Sequence, residues 1–539
     1  MQLSFEDVVL KGLASDGGLF IPEEVPTLPT DWDTNWANYS FDQLAFEVLS
    51  LYISPDEIPA ADLKELIRRS YSTFRSADIT PLATLQAKEN LHLLELFHGP
   101  TFAFKDVALQ MLGNLFEYFL ARRNARVSSG STRHHLTVIG ATSGDTGSAA
   151  IYGLRGKADV SVFILYPKGK VSPIQEAQMT TVLDANVHNL AVEGTFDDCQ
   201  DIVKALFADP IINKSQNLAA VNSINWARIL AQITYYFHAY FSLRRLAQTS
   251  KTSPTRFVVP TGNFGDVLAG YFAKKMGLPV DKLVIATNEN DILDRFWRTG
   301  YYEKHPLHGH EAEGGFAHDG AQARPEGVKE TLSPAMDILV SSNFERLLWF
   351  LSYQTSSAAS RAERQKAAGE NVKGWLAELK TQNGFGVPAS ILEAAKVDFE
   401  SECVSDTQTL EIIQRFYRIP LSSAPTTDAT RGTSHNGGYI LDPHSAIGVA
   451  ASLRSMKRAP PSAGTHHIAL ATAHPAKFAS AVEVALEKEP GFKFEDILPV
   501  EFVGLEKKER RIRGVGRGEG WEGVRAVIEE MVAKEGEIH

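Results

Sequence analysis

The sequence predicts an α/β fold in which parallel sheets are covered by helices on both faces. Apolar runs at 136–140, 160–166 and 187–192 alternate with segments of helical periodicity. The alternation returns at 256–287 and again at 467–472. Apolar strands that alternate with helices are typical of parallel sheets, whose ligands bind at the carboxyl ends of the strands.

Length and composition indicate a globular protein with more than one domain. The chain has 539 residues, of which 44% are hydrophobic and 22% charged, so two or three domains are expected. The net charge of -11 provides no basic field for nucleic acid or for an anionic membrane. We therefore expect neither as a partner.

The two cysteines and the N-terminus favour a cytoplasmic protein. Cys199 and Cys403 provide neither a disulfide framework nor a zinc pattern, and no metal is expected. Residues 1–7 carry acids early and lack the pattern of a secretory signal or an Arg-rich transit peptide. The longest apolar stretch, about 229–246, contains Gln232, His238 and two arginines and is read as a buried helix.

Lys105 is the first candidate for chemistry. It lies where a turn rich in Gly and Pro, at 98–104, is followed by an apolar helical pattern that should begin near Asp106. The positive end of the helix dipole and the flanking aromatic rings would favour a neutral amine, the form that makes a Schiff base. Local sequence alone favours the alternative, a surface lysine whose side chain lies along the helix start.

Two glycine-containing loops each lie between a predicted strand and a helix. Free N–H groups at a helix start bind phosphate or carboxylate, which makes residues 262–266 (GNFGD) and 141–147 (ATSGDTG) candidate anion sites. A tight turn explains the first loop equally well. A helix capped by Ser143 or Asp145 explains the second.

These motifs, taken in order, resemble the threonine synthases, in particular the long fungal and bacterial type. The blocks that carry the resemblance are HGPTFAFKD at 98–106, GATSGDTGSAA at 140–150, NSINWARI at 222–229, PTGNFGD at 260–266 and ATAHPAKF at 471–478. Segments 16–22, 286–293 and 332–338 match as well, so the resemblance covers about residues 5 to 500. It implies a pyridoxal-phosphate enzyme of fold type II, tryptophan synthase β-like, with two parallel-sheet domains, a helical N-terminal segment and insertions.

The resemblance also implies an activity and a substrate. Threonine synthases convert O-phospho-L-homoserine and water to L-threonine and phosphate, by γ-elimination and then β-addition of water, as the last step of threonine biosynthesis. A related phospho-lyase that releases 2-oxobutanoate is the alternative. A non-catalytic regulatory homologue is disfavoured because Lys105 and the 262–266 loop are intact. The sequence leaves open whether the protein is a monomer or a homodimer.

Site residues follow from the matching motifs. The resemblance makes Lys105 the Schiff-base lysine and places the hydroxyl of Thr472 against the pyridine nitrogen of the cofactor. The cofactor phosphate would be cradled by Gly262, Asn263, Phe264, Gly265 and Asp266. The substrate carboxylate would be held by Thr142, Ser143, Gly144, Asp145 and Thr146, although related enzymes often carry asparagine where Asp145 stands. Candidates for the substrate phosphate are Asn225, Arg228, Lys168 and Ser223, and Arg228 could instead pair with an acid on a neighbouring helix.

The expected domains are a mostly helical N-terminal unit and two sheet domains. Their predicted ranges are 1–90 for the helical unit, 91–235 for the smaller sheet domain with the lysine and 236–500 for the larger one. A helical insertion is expected at about 300–430, and a charged tail at 501–539. A histidine-rich loop at 303–328 and a polar loop at 423–437 are read as additions without a catalytic role.

Overall fold

The computed structural model describes most of the chain. The described residues are 3–14, 16–128, 131–247, 253–305, 327–420, 433–435, 438–459 and 464–538. Most of the histidine-rich loop, including His308, His310 and His318, lies outside these ranges, as does most of the 423–437 loop.

The N-terminal unit is helical, as the sequence predicts. Its helices are α1 (Phe5–Lys11), α2 (Trp32–Asn35), α3 (Phe41–Ser50) and α4 (Ala60–Tyr71). A capping box starts α3, in which Ser40 and Gln43 satisfy each other's backbone N–H groups. The apolar face of α3, with Phe41, Leu44 and Val48, packs against the long helix α10 (Trp226–Ala247).

The smaller sheet has five parallel strands in the order β15-β5-β4-β3-β6. The strands are β3 (Leu136–Ala141), β4 (Val160–Pro167), β5 (Val187–Val192), β6 (Leu218–Ala220) and β15 (Arg513–Val515). The associated helices are α5 (Lys105–Asn124), α6 (Asp145–Leu154), α7 (Pro173–Thr180), α8 (Phe196–Ala208) and α9 (Pro210–Gln216). Every residue of β4 is buried, which explains its unbroken apolar sequence.

The larger sheet has six strands in the order β1-β2-β14-β7-β8-β11, and only the β1–β2 pair is antiparallel. The strands are β1 (Leu82–Gln86), β2 (Leu91–Glu95), β7 (Thr255–Pro260), β8 (Leu283–Thr287), β11 (Phe399–Cys403) and β14 (His466–Ala471). The helices that follow or cover them are α11 (Gly265–Met276), α12 (Ile292–Thr299), α17 (Pro443–Arg458) and α18 (Ala479–Leu486). Two parallel-sheet domains with a helical N-terminal segment confirm the predicted fold class.

The segment around 300–430 is not purely helical. It contains α13 (Phe344–Thr355), α14 (Arg361–Gln382), α15 (Ala389–Asp398) and α16 (Asp406–Arg418). Two short antiparallel pairs, β9 (Tyr301–Glu303) with β10 (Gly384–Gly386) and β12 (Ser434–His435) with β13 (Gly438–Tyr439), accompany them. Strand β11 also belongs to this part of the sequence, and it forms an edge of the larger sheet beside β8.

Two expected domain boundaries differ from the structure. The first strands, β1 and β2, belong to the larger sheet because β2 pairs with β14, a strand far along the chain. The C-terminal segment is not a solvated tail, because β15 pairs with β5 and α19 (Gly520–Ile538) packs on α8. Apolar side chains spaced along α19 among its charges explain this: Val524, Val527 and Ile528 are buried in one cluster with Cys199.

Helix α10 is buried within the protein, as the sequence predicts for this apolar stretch. Gln232 and His238 are both almost fully buried, and His238 contacts Thr80 through its ring nitrogen at 3.1 Å. Among the described residues, no helix is both long and apolar enough to cross a membrane.

Candidate active site

The candidate site is a cavity of about 340 Å³ between the two sheets. Part of its lining comes from segments that follow the carboxyl ends of parallel strands, where ligands of such sheets bind. In the larger sheet these strands are the neighbours β2, β14 and β7, and in the smaller sheet they are the neighbours β3 and β6. The lining includes Lys105, Thr472, Gly262, Asp145 and Arg228.

Lys105 is the first residue of α5 and is only 8% exposed. Its Nζ lies 2.8 Å from Oδ2 of Asp145 and 5.5 Å from the centre of the Phe104 ring. The surface alternative for this lysine is therefore excluded. The amine is not isolated, because it lies within hydrogen-bond distance of a carboxylate.

Asp145 contacts a second lysine that the sequence did not single out. Oδ1 of Asp145 lies 2.6 Å from Nζ of Lys477, which is fully buried. Burial works to raise the pKa of Asp145, but the ammonium groups of Lys105 and Lys477 outweigh it and hold this pKa well below its usual range. A carboxylate held in this way would repel a substrate carboxylate, so the side chain of Asp145 does not suit the expected contact.

The conformation of the loop that contains Asp145 is fixed by the hydroxyl of Thr142 and by the backbone of Gly144. Oγ1 of Thr142 accepts hydrogen bonds from the N–H groups of Gly144 and Gly147, both at 2.9 Å. Gly144 has φ +144°, a conformation that side chains rarely adopt. The side chain of Ser143 is exposed, and Thr146 lines the cavity.

The 262–266 loop forms a cradle at the start of α11. The carbonyl oxygen of Gly262 accepts from Ser341 and that of Asn263 from Asn343, at 2.6 and 2.9 Å. Among the described residues, no hydrogen bond occupies the N–H groups of 262–265, and those of Asp266 and Val267 lie in the first turn of α11, where N–H groups lack an intrahelical partner. A Cβ atom on Gly262 would lie 2.9 Å from the carbonyl oxygen of Ala335, so only glycine fits there.

Asp266 turns its side chain toward α10 and not toward an anion. The hydroxyls of Tyr235 and Tyr236 donate to its Oδ1 at 2.5 and 2.9 Å. Burial raises the pKa of Asp266 to about 6, although these two hydrogen bonds work to lower it. Asp266 is thus suited to contribute its backbone N–H to the cradle, while its carboxyl fixes the start of α11.

Thr472 follows β14 directly and lines the cavity. Its N–H donates to Oγ of Ser445 at 3.2 Å, and its carbonyl oxygen accepts from the N–H of Phe104 at 2.8 Å. His444, which the sequence reading missed, also lines the cavity. Its Nδ1 contacts Oδ1 of Asp442 at 2.8 Å, and Asp442 caps α17.

Arg228 is buried in the cavity wall without a carboxylate partner among the described residues. Its Nη1 donates to the carbonyl oxygen of Val221 at 2.8 Å, and its Nε makes no hydrogen bond. Burial lowers the pKa of Arg228 to about 10, with a small opposing effect of Tyr235. The alternative of a structural pair with an acid is therefore not found, and an unpaired guanidinium that faces a cavity is suited to an anion.

The other substrate-phosphate candidates divide into two groups. Ser223 lines the cavity, together with Asn222, which the sequence reading did not nominate. Asn225 and Lys168 are not in the lining. Nδ2 of Asn225 donates to the carbonyl oxygen of Val9 and its Oδ1 accepts from Ala227. Lys168 is exposed and pairs with Glu193 at 3.2 Å. Both side chains already have other partners, so the structure does not bring them to the site.

The cavity has the groups that pyridoxal 5'-phosphate requires. The cradle at 262–265 offers N–H groups for the phosphate where a Cβ would not fit, Lys105 offers an amine, and Thr472 offers a hydroxyl near the same cavity. Among the described residues, no cluster of His, Cys, Asp and Glu side chains could hold a metal ion.

Comparison with known proteins identifies the family. The profile "Threonine synthase N terminus" matches residues 1–71, "Pyridoxal-phosphate dependent enzyme" matches 75–335, and "Threonine synthase, C-terminal" matches 445–528. Threonine synthase of Schizosaccharomyces pombe is 54% identical over 94% of this chain and 92% of its own length. That of Saccharomyces cerevisiae is 52% identical over 99% of this chain and 96% of its own length.

Solved structures agree with these matches. The crystal structure of threonine synthase from yeast has a TM-score of 0.86 and 52% identity, and covers 99% of this chain and 97% of its own. The structure of threonine synthase from Brucella melitensis, described as bound to pyridoxal phosphate, has a TM-score of 0.79 and 38% identity, with coverage of 98% and 97%. The chain therefore belongs to the threonine synthase family of pyridoxal-phosphate-dependent enzymes.

Proposed function

We propose that this chain converts O-phospho-L-homoserine and water to L-threonine and phosphate in the cavity between its two sheets, with Lys105 as the residue that bonds to pyridoxal phosphate. One observation carries the assignment of the lysine: a buried amine at a helix start contacts a carboxylate and lines the same cavity as a phosphate-type cradle. When bound, the cofactor supplies a carbonyl that condenses with amines and a ring that accepts electrons from the carbon next to the substrate amine.

The amine of Lys105 is placed to move protons along the substrate. With substrate and cofactor in the cavity, helix α5 would keep the free amine of Lys105 close to the α, β and γ carbons of the substrate. It can accept the α proton, and Asp145 then accepts a hydrogen bond from the ammonium group so formed. In the overall reaction the γ-carbon exchanges its bond to phosphate for a proton, the β-carbon exchanges a proton for a hydroxyl from water, and the other proton of the water leaves with the phosphate.

Arg228 is the group we assign to the substrate phosphate. Its guanidinium is buried, lines the cavity and has no carboxylate partner among the described residues, so a bound phosphate would supply the missing counter-charge. Ser223 and Asn222 lie on the same stretch of the lining. We expect all three to hold the phosphate before and after its bond to carbon breaks.

Two further groups orient the cofactor and the substrate. Thr472 would place its hydroxyl against the pyridine nitrogen, and a hydroxyl cannot hold that nitrogen protonated as a carboxylate would. The N–H groups of Ser143, Asp145 and Thr146, around the start of α6, would bind the substrate carboxylate, while the N–H of Gly144 is taken by Thr142. We assign Asp145 to Lys105 and not to the substrate, since both of its oxygens face lysines.

Product analysis tests the proposal. Purified protein supplied with O-phospho-L-homoserine should release phosphate and threonine in equal amounts. Release of phosphate with 2-oxobutanoate and ammonia would instead identify a phospho-lyase. If neither threonine nor 2-oxobutanoate is released, the protein is a non-catalytic homologue.

We also propose that the protein works in the cytoplasm. Its two cysteines form no disulfide, as expected in a reducing compartment. Fractionation of cells that express a tagged chain tests this proposal.

A further inference from the structure

Lys477 is a fully buried ammonium group that the mechanism above does not use. It lies in a short 3-10 turn, Pro475–Lys477, just after β14. Its Nζ contacts Oδ1 of Asp145 at 2.6 Å and donates to the carbonyl oxygen of Thr101 at 2.8 Å. Burying a charge is costly unless it is paired, so this lysine needs Asp145 to be ionised.

Asp145 is therefore shared between two lysines. Its Oδ2 faces Lys105 and its Oδ1 faces Lys477. A carboxylate shared in this way holds each ammonium less strongly than it would hold one alone, because the second positive charge repels the first. Lys477 and Lys105 thus contact the two oxygens of the same carboxylate.

We propose that Lys477 is a positioning residue that fixes the carboxylate of Asp145 and, through it, makes the nitrogen of Lys105 release its proton more readily. The inference rests on the proposed role of Lys105 as the cofactor-binding lysine. It explains how a lysine that pairs with a buried carboxylate can still act as a base: the neighbouring ammonium offsets part of the attraction.

The other buried acid near Lys105 and Lys477 is Asp106, and removing the positive charge of Lys477 would raise its pKa further. Asp106 accepts from the N–H and the hydroxyl of Thr101, both at 2.8 Å. Burial raises the pKa of Asp106 to about 6, against the lowering effect of those bonds and of Lys477. Arg228 and His444 lie elsewhere in the lining of the same cavity, and the carboxyl of Asp266 accepts from Tyr235 and Tyr236.

The test compares Lys477→Met with Asp145→Asn in the purified protein with its cofactor. The readouts are the pH at which the visible absorbance changes, which reports the proton on the Lys105 nitrogen, and the pH profile of kcat. Removing the positive charge should move the absorbance transition up by about one pH unit, and removing the negative charge should move it down by about as much. Shifts of opposite sign are not expected from loss of packing alone.

Lys275→Met provides the matched control. Lys274 and Lys275 share Asp398 at 3.0 and 2.7 Å outside the cavity, so the same kind of change there should leave the transition in place. If Lys477→Met does not fold, the comparison of Asp145→Asn with the Asp145→Asn/Lys477→Met double variant gives the same upward shift.

Two results separate this inference from the proposed function. An unmoved transition in folded Lys477→Met, or shifts of the same sign in both variants, would overturn the role of Lys477 and leave Lys105 as assigned. Turnover at the normal rate by Lys105→Ala would instead overturn the proposed function, and the inference with it.

Discussion

The N–H of Phe104 donates a hydrogen bond to the carbonyl oxygen of Thr472 at 2.8 Å. Phe104 directly precedes Lys105, and Thr472 directly follows β14. The start of the helix that carries the lysine is thereby fastened to the end of a central strand of the larger sheet. This backbone hydrogen bond thus fixes the position of Lys105 relative to Thr472, the residues that we assign to opposite ends of the cofactor ring.

We expect Lys105→Ala to abolish both turnover and the visible absorbance of the lysine-bound cofactor, because no other lysine lines the cavity among the described residues. Lys477, which also contacts Asp145, is fully buried. Lys204→Ala is the control, since that side chain is 71% exposed and pairs with Asp201. Spectra and threonine formation are measured on both. Turnover by Lys105→Ala at the normal rate would contradict the assignment.

We expect Gly262→Ala to weaken cofactor binding by roughly 5- to 150-fold, the effect of about 1–3 kcal/mol of overpacking. The added Cβ would lie 2.9 Å from the carbonyl oxygen of Ala335, which is backbone and cannot rotate away. Titration of the cofactor into stripped protein measures the effect.

Gly369→Ala is the matched control for this substitution. Gly369 lies inside α14 with nothing within 4 Å of an added Cβ, so alanine there should stabilise the protein by about 0.5–1 kcal/mol. Cofactor affinity should be unchanged. Equal affinity of the Gly262→Ala variant and the wild type would argue against the cradle.

The fold could be predicted to the extent that each element is specified by its own residues. The run at 160–166 is apolar throughout because β4 is buried on both faces, and the observed strand is Val160–Pro167. Strands β1 and β2 were missed because polar residues interrupt them. His92 and Glu95 are buried in β2, where His92 contacts His466 at 3.1 Å and Glu95 contacts His98 at 2.7 Å. His466 lies far from His92 in the sequence, and His98 lies beyond the end of β2. The periodicity of hydrophobic residues does not predict such polar contacts.

The site could be predicted where a motif fixes the backbone and not where a distant contact orients a side chain. Lys105 and the 262–265 loop stand at helix starts that the sequence already marks. Asn225 was nominated because its motif matches, yet Val9, far away in the sequence, takes its amide. Lys477 was not predicted although it contacts Asp145, because the residues next to it in the sequence do not distinguish it from an exposed lysine.

We expect Asp266→Asn to gain stability over the wild type as the pH rises from about 4 to 6. Burial raises the pKa of Asp266 from 3.8 to about 6, despite the opposing hydrogen bonds of Tyr235 and Tyr236. The fold therefore favours the protonated acid, whose contribution is full below the unfolded pKa and is lost as the pH rises through about 6. Denaturant unfolding of cofactor-free protein across this range measures the difference.

Asp398→Asn gives a control of opposite sign for this pH dependence. Burial works to raise the pKa of Asp398, but hydrogen bonds from Lys275 and Lys274 outweigh it and lower this pKa below 3.8. Its stabilising effect is present above pH 3.8 and is lost as the pH falls through the lowered value, so Asp398→Asn should be less stable than the wild type at neutral pH. If the free energy of unfolding of Asp266→Asn differs from that of the wild type by the same amount at every pH from 4 to 6, Asp266 does not titrate in that range.

We expect Arg228→Leu to lose substrate affinity without losing stability. Charge-assisted hydrogen bonds to phosphate contribute about 1.5–3 kcal/mol, so KM for O-phospho-L-homoserine should rise by roughly 10- to 150-fold. Inhibition by inorganic phosphate should weaken in parallel. The free energy of unfolding should change by no more than about 1 kcal/mol, because the substitution removes one hydrogen bond to Val221 together with an unpaired buried charge.

Arg346→Leu is the matched comparison, because both arginines are buried and burial lowers the pKa of each to about 10. Arg346 donates to the carbonyl oxygens of Phe20 and Ile224, at 2.9 and 2.7 Å, and to Asn343. Its replacement leaves those acceptors unsatisfied and should cost about 2–5 kcal/mol of stability. Thermal unfolding and KM measured on both variants separate the two roles. A large loss of stability in Arg228→Leu with an unchanged KM would show that Arg228 is structural and that the substrate phosphate binds elsewhere.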